Sequence, residues 1–119
     1  MYGFLNIKGL GLKNINQALK VLNDMLLSGE APIKILSLIT GMFRRMMFAK
    51  INKSSLADLA KILGVKEYAM VKAKQYAEKF TAGQLKNIMN LLLEADYNIK
   101  SGQMTQENVL VYLVCKIVA

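Results

Sequence analysis

The chain has 119 residues, about one domain's worth, since single domains commonly run to roughly 100–150 residues. Hydrophobic residues make up 54% and charged residues 20%, a composition that excludes a disordered chain, and the formal net charge is +8 from 16 basic and 8 acidic residues. The absence of histidine excludes Ser-His, Cys-His and His-ligated metal chemistry, and a single cysteine, Cys115, excludes an internal disulfide and a thiolate zinc site.

Residues 1–13 carry Gly3, Gly9 and Gly11 and read as a lead-in segment or linker. Gly9-Leu10-Gly11 lacks the strand, third glycine and acidic follower of a dinucleotide site. Met1 to Leu12 has no charged n-region and its apolar stretch is cut by Lys8 and three glycines, so it does not read as a signal peptide. Residues 14–119 carry helical punctuation throughout. A first helix is expected from about Asn14 to Ser28, with Asn14 as N-cap, Gly29 just past its end, and Ala18, Leu19, Leu22, Met25 and Leu26 as its apolar stripe. A second begins near Pro32, which fits the first helical position because its missing N–H would be unpaired there anyway. Its stripe is Leu36, Ile39, Phe43, Met46 and Met47. A methionine-rich stripe with Met42 fills a core more often than it adapts to a partner surface.

The third helix opens at Ser55-x-x-Asp58, a capping-box-like pair, and stops at Gly64, with Val65 set for the apolar contact that accompanies such an ending. The fourth runs from about Lys66 to Phe80, with Ala69, Ala73, Tyr76, Ala77 and Phe80 on its apolar face. The fifth opens at Thr81-x-x-Gln84, a capping box flanked by Phe80 and Leu85 at the staple positions, and closes at Gly102. The sixth starts at Thr105. Val109 to Cys115 is rich in β-formers, but Leu110, Leu113, Val114 and Ile117 have helical spacing and one strand alone would lack a pairing partner. The expected fold is therefore an all-α bundle of about six helices. Cys115 is expected as a small buried hydrophobe. Ile35 to Phe43, bounded by Lys34 and Arg44, is far short of the 18 or so apolar residues of a membrane span.

Helices three and four invite comparison with a helix-turn-helix DNA reader. At about 100° per residue, Lys72 and Lys79 fall on one flank of helix four, while Lys74 shares the other flank with Glu67 and Glu78. A recognition helix should gather its donors at a groove rather than split them around two carboxylates. A small basic helix-turn-helix regulator using residues near 55–80 therefore stands as the alternative. Two charges sit on apolar stripes, Lys50 on helix two and Asp96 on helix five. A buried charge is costly unless paired, so Lys50 and Asp96 are candidates for a structural ion pair across a helix pair, with Asp96–Lys100 at i,i+4 as the competing arrangement. No acid–base pair, nucleophile, metal set or cofactor motif is visible, and no catalytic activity is expected. Helices five and six carry more apolar surface than one stripe needs. Leu91, Leu93, Tyr97, Val111, Tyr112 and Val118 are the candidate interface residues for contact with another subunit.

The order of motifs resembles the C-terminal collar domain of the delta subunit of bacterial DNA polymerase III, a clamp-loader protein. The resemblance is carried by Ala18 to Pro32, by Ile35-Leu-Ser-Leu-Ile with Phe43-Arg44-Arg45, by Leu59-Ala-Lys-Ile-Leu-Gly-Val, and above all by Leu92-Leu-Glu-Ala-Asp-Tyr-Asn-Ile-Lys-Ser-Gly102. It implies that residues 14–119 are a helical collar domain that assembles with other clamp-loader subunits, delta prime and gamma/tau, in the bacterial cytoplasm. It further implies AAA+-like N-terminal domains, outside this chain, that engage the sliding clamp, with clamp and DNA reached only through the full-length protein or assembly. The family's delta subunit is not itself an ATPase, and the chain agrees in lacking a phosphate loop. As a delta subunit it would belong to the DNA-directed DNA polymerase III holoenzyme, a nucleotidyltransferase, with no cofactor, small-molecule substrate or membrane contact of its own.

Overall fold

Residues 14–118 are described by a computed structural model. The expected lead-in segment, 1–13, and its Gly9-Leu10-Gly11 lie outside them. The described residues form six helices and no strand: α1 (Ile15–Leu27), α2 (Pro32–Ile51), α3 (Leu56–Leu63), α4 (Glu67–Ala77), α5 (Ala82–Ser101) and α6 (Gln106–Val118). The all-α expectation holds, including the helical assignment of the β-former-rich α6.

The helix starts follow from local hydrogen bonds. The Asn14 side chain accepts from the Gln17 N–H at 3.0 Å and Ser55 Oγ from the Asp58 N–H at 3.2 Å. Ser55 and Asp58 make only this half of a capping box, since Asp is one methylene shorter than the Glu that usually reaches back. At α5 the box is complete: Thr81 Oγ1 accepts from the Gln84 N–H at 3.0 Å, and Gln84 Oε1 accepts from the Thr81 N–H at 2.8 Å. Thr105 Oγ1 caps α6 through the Asn108 N–H. Pro32 occupies the start of α2 as its spacing foretold. Gly64 and Gly102 end α3 and α5 at φ 68° and 73°, where any residue with a Cβ would be strained.

Packing is organised around α2, which touches α3, α4, α5 and α6, while α1 lies chiefly on α6. Ile35, Ile39, Met42, Phe43 and Met46 of α2 are all 1% exposed or less. The methionines Met42 and Met46 are thus core. Met47 is half-buried against the same core. Phe43 meets Phe80 edge-on, with ring centroids 5.8 Å apart and planes at 84°. Phe80 reaches that position because α4 stops at Ala77, short of the expected Phe80. The Lys79 and Phe80 N–H groups bond back only three residues, to Tyr76 and Ala77. This tight turn drives Phe80 inward ahead of the α5 box.

A second, smaller apolar cluster joins Ala49 of α2 to Leu59 and Ala60 of α3 and Met70 of α4. Met70 is fully buried, whereas the expected Ala69 is only half-buried. The α4 core face is therefore Met70, Ala73, Tyr76 and Ala77. Val65 packs on this cluster, and its N–H reaches back to the Ala60 carbonyl at 2.9 Å. Residues 56–80 form a lobe seated on the C-terminal half of α2. Burial, and then neighbouring Tyr68, push the Tyr76 phenol above its ordinary pKa, so its hydroxyl stays neutral inside.

Two expected outcomes test this architecture. Phe43→Ala removes a fully buried ring and its partner contact and should destabilise the chain by about 3–5 kcal/mol, measured by urea unfolding. Thr81→Ala leaves the Gln84 N–H without its side-chain acceptor while keeping the Thr81 backbone N–H to Gln84 Oε1, and should cost about 1 kcal/mol by the same assay, with helical circular dichroism retained.

Candidate subunit interface

The six candidate interface residues divide by position. Leu93 is 69% exposed and Tyr97 61%, and they stand four residues apart on one flank of α5. Tyr112 and Val111 on α6 are exposed as well, at 47% and 42%. Leu91 and Val118 are half-buried and pack against the main core. At about 100° per residue, Leu93 lies on the α5 flank turned toward α2, Tyr97 lies nearly opposite the α5 core face, and Leu91 lies on the flank turned toward α6. Tyr112 shares the second flank, beside Met104 and Leu91. Val111 and Val118 lie on the far side of α6 from Tyr112. The surplus apolar residues thus form separate patches on opposite flanks of α5 and around α6, a division that linear spacing did not reveal.

The Leu93 flank borders a groove of about 360 Å³ between α2 and α5. Leu36, Met89 and Leu92 form its floor, and Ser37, Thr40 and Gly41 form a low wall on α2. Exposed Leu93 is the opposite wall, with Arg44 and Asp96 at the rim. Small residues on one wall and apolar ones below suit the close approach of another protein's side chains. The gap beneath Tyr112 on the other flank is only about 10 Å³, no more than one water's worth, so that surface is closed and already packed. Among the described residues no group of histidine, cysteine or carboxylate side chains could hold a metal ion, and no helix is long and apolar enough to cross a membrane.

The charges resolve differently from the expected Lys50–Asp96 pair. Asp96 Oδ2 lies 3.0 Å from Lys100 Nζ within α5, and Lys50 Nζ donates to the Ala77 carbonyl at 3.3 Å. The physical reason is exposure. The Asp96 side chain is 42% accessible and needs no buried counter-ion, so the lysine one turn away suffices. Lys50 stands at the exposed end of α2, where the Ala77 carbonyl, which also accepts from the Phe80 N–H, offers a second lone pair at the negative end of the α4 dipole. Lys20–Asp24 and Lys34–Glu30 are likewise i,i+4 pairs with exposed lysines, each contributing about 0.3–0.5 kcal/mol. Burial, then the charge of adjacent Arg44, lowers the Arg45 pKa from its ordinary value. Cys115 is exposed rather than buried. It lies on the side of α6 opposite Leu110, Leu113 and Ile117, where no other helix of the described residues reaches.

The α3–α4 lobe keeps the divided charges that spacing indicated. Within α4, Tyr68 and Lys72 share one flank and Lys74 shares the other with Glu67, while Glu78 and Lys79 fall in the turn past Ala77. Its donors do not converge as a major-groove reader requires, and its apolar face is committed to α2. The helix-turn-helix alternative is not favoured.

Comparison with known proteins agrees with this geometry. No curated protein sequence matches the chain significantly. The fold superposes on the Bacillus subtilis DNA clamp loader delta protein (YqeN) with a TM-score of 0.85 and 24% identity, over 96% of this chain and 34% of that one. The chain therefore spans about a third of that protein's length, and at this identity the likeness speaks for the fold. The family model for the DNA polymerase III delta subunit, C-terminal domain, matches residues 5–117, beginning ahead of the division expected at residue 14. With that match spanning nearly the whole chain, the protein belongs to the family of C-terminal domains of the DNA polymerase III delta subunit.

Proposed function

We propose that this chain is an assembly domain of a clamp loader, packing side by side with the corresponding domains of other subunits, delta prime and gamma/tau, during sliding-clamp loading in DNA replication. Family membership supplies the context. The observation that carries the reading is the pair of apolar flanks on either side of α5, with Leu93 and Tyr97 exposed on one and Tyr112 on the other. A subunit held in a ring meets a neighbour on each side through different surfaces, so it needs two distinct patches rather than one self-complementary patch. Standard interfaces bury roughly 800 Å² per partner, dominated by a few aromatic and aliphatic anchors. Leu93 beside the α2–α5 groove with exposed Tyr97 one turn on, and Tyr112 beside Met104, are anchors of that kind.

The contribution of the chain is then mechanical. It holds other modules in register, contacts the sliding clamp only through the larger assembly, and acts in the bacterial cytoplasm as part of the polymerase III holoenzyme without a reaction of its own. The division at residue 14 would mark the passage from a linker to the packed domain.

Leu93→Asp and Tyr112→Glu should each reduce co-elution with purified delta prime and gamma/tau subunits at least ten-fold while leaving helical circular dichroism and the urea midpoint near the parent values. Leu91 is a poorer probe, because its half-buried side chain supports the core. Undiminished co-elution of both variants would overturn the reading.

A further inference from the structure

The positive charge of the described residues is concentrated in one lobe. Between Lys50 and Lys79 there are seven lysines against three carboxylates, and none of the seven forms an ion pair with an acid among the described residues. Around α4 the charges are sorted. Tyr68 and Lys72 stand one turn apart on α4, and Lys79 follows in the tight turn just past the helix end at Ala77, a stripe of one ring and two cations. Glu67 falls on the opposite flank of α4 with Lys74, and Glu78 is the residue that caps the helix end. Tyr68 is 58% exposed, an aromatic ring left in water on a helix whose other large apolar residues are covered. Lys72 Nζ stands 5.9 Å from its ring centroid. Lys50, hydrogen-bonded to the Ala77 carbonyl, adds a third cation at the end of α4.

We infer that this stripe is a contact for single-stranded nucleic acid, with phosphates on Lys72, Lys79 and Lys50 and one base stacked on Tyr68. Clustered cations alone would accept any polyanion. The exposed ring between them is what favours a strand with unpaired bases over an acidic polypeptide, because every base offers a face to stack on and a glutamate does not. A duplex fits less well, since its bases are already stacked and the stripe runs along a convex helix rather than converging on a groove. Two or three phosphates give weak, sequence-independent binding, with dissociation constants of about 10⁻⁴–10⁻⁶ M. Such a contact acts on a strand that neighbouring parts of an assembly already hold close, where tethering raises the effective concentration to about the millimolar range. The inference goes beyond the assembly role and does not require it, because the stripe is complete within this chain.

The test is fluorescence anisotropy of labelled oligothymidylate titrated with the intact chain across a salt series, with duplex DNA and polyglutamate as competitors. Oligothymidylate should bind with a log–log salt slope of about −1.4 to −2, or about 0.7 per phosphate. Lys72→Gln with Lys79→Gln should flatten the slope by about 1.4. Tyr68→Ser should weaken binding roughly ten-fold at unchanged slope, and Tyr68→Phe should restore it. Lys20→Gln, far along the chain and paired with Asp24, should change nothing. No binding at low salt, polyglutamate competing as well as oligothymidylate, or a Tyr68→Ser variant indistinguishable from the parent would each overturn the inference. Failure of the assembly test, with oligothymidylate binding intact, would overturn the assembly reading alone.

Discussion

Burial of α2 is the constraint on which the rest depends. A 20-residue helix is an amphipathic surface element in most small domains, with one face to water. Here α3, α4, α5 and α6 all pack on it, so its apolar residues serve more than one face. Ile35, Leu36, Ile39, Met42, Phe43 and Met46 belong to the main cluster, and Ala49 near its end belongs to the second. One helix thus ties two cores together. Methionine suits this place because an unbranched side chain fills the irregular gaps left where neighbours approach from different angles.

Once α2 is central, the chain's turns decide what else is covered. The three-residue turn after Ala77 brings Phe80 against Phe43 and launches α5 along α2 through the capping box at Thr81 and Gln84. α5 then runs with α2 on one side and α6 on the other. Its core face, from Leu85 to Ile99, is spent on them. Leu93 and Tyr97 remain outside, because no seventh helix among the described residues lies over that flank. The exposed apolar surface is therefore a geometric remainder of the packing around α2, and the proposed assembly role rests on that remainder.

The two lobes divide the surface chemistry. The main cluster carries the exposed leucine and tyrosines of α5 and α6, flanked by weak exposed ion pairs that add little to stability. The α3–α4 lobe carries an excess of lysine outside any ion pair and a single exposed tyrosine. Apolar patches favour protein neighbours and basic ones favour anions, so one small domain can present both without either surface competing for the same residues.

Helix starts and stops were legible in the amino-acid sequence because they are closed by hydrogen bonds between residues three to five apart. Asn14, Ser55, Thr81, Gln84 and Thr105, with Pro32 opening α2 and glycines after α3 and α5, gave six helices in the right order and set aside the β-former content of Val109 to Cys115. Spacing also identified apolar residues beyond a single stripe on α5 and α6, and the charge sorting around α4. What lay beyond it was which neighbour covers which side. Burial of Met70 instead of Ala69, exposure of Cys115, support of the core by Leu91 and Val118, and the separate partners of Lys50 and Asp96 were all decided by tertiary packing. A residue's angle on its helix follows from its position in the chain. Whether that direction ends in water or in another helix depends on segments tens of residues away, and only the folded arrangement brings them together.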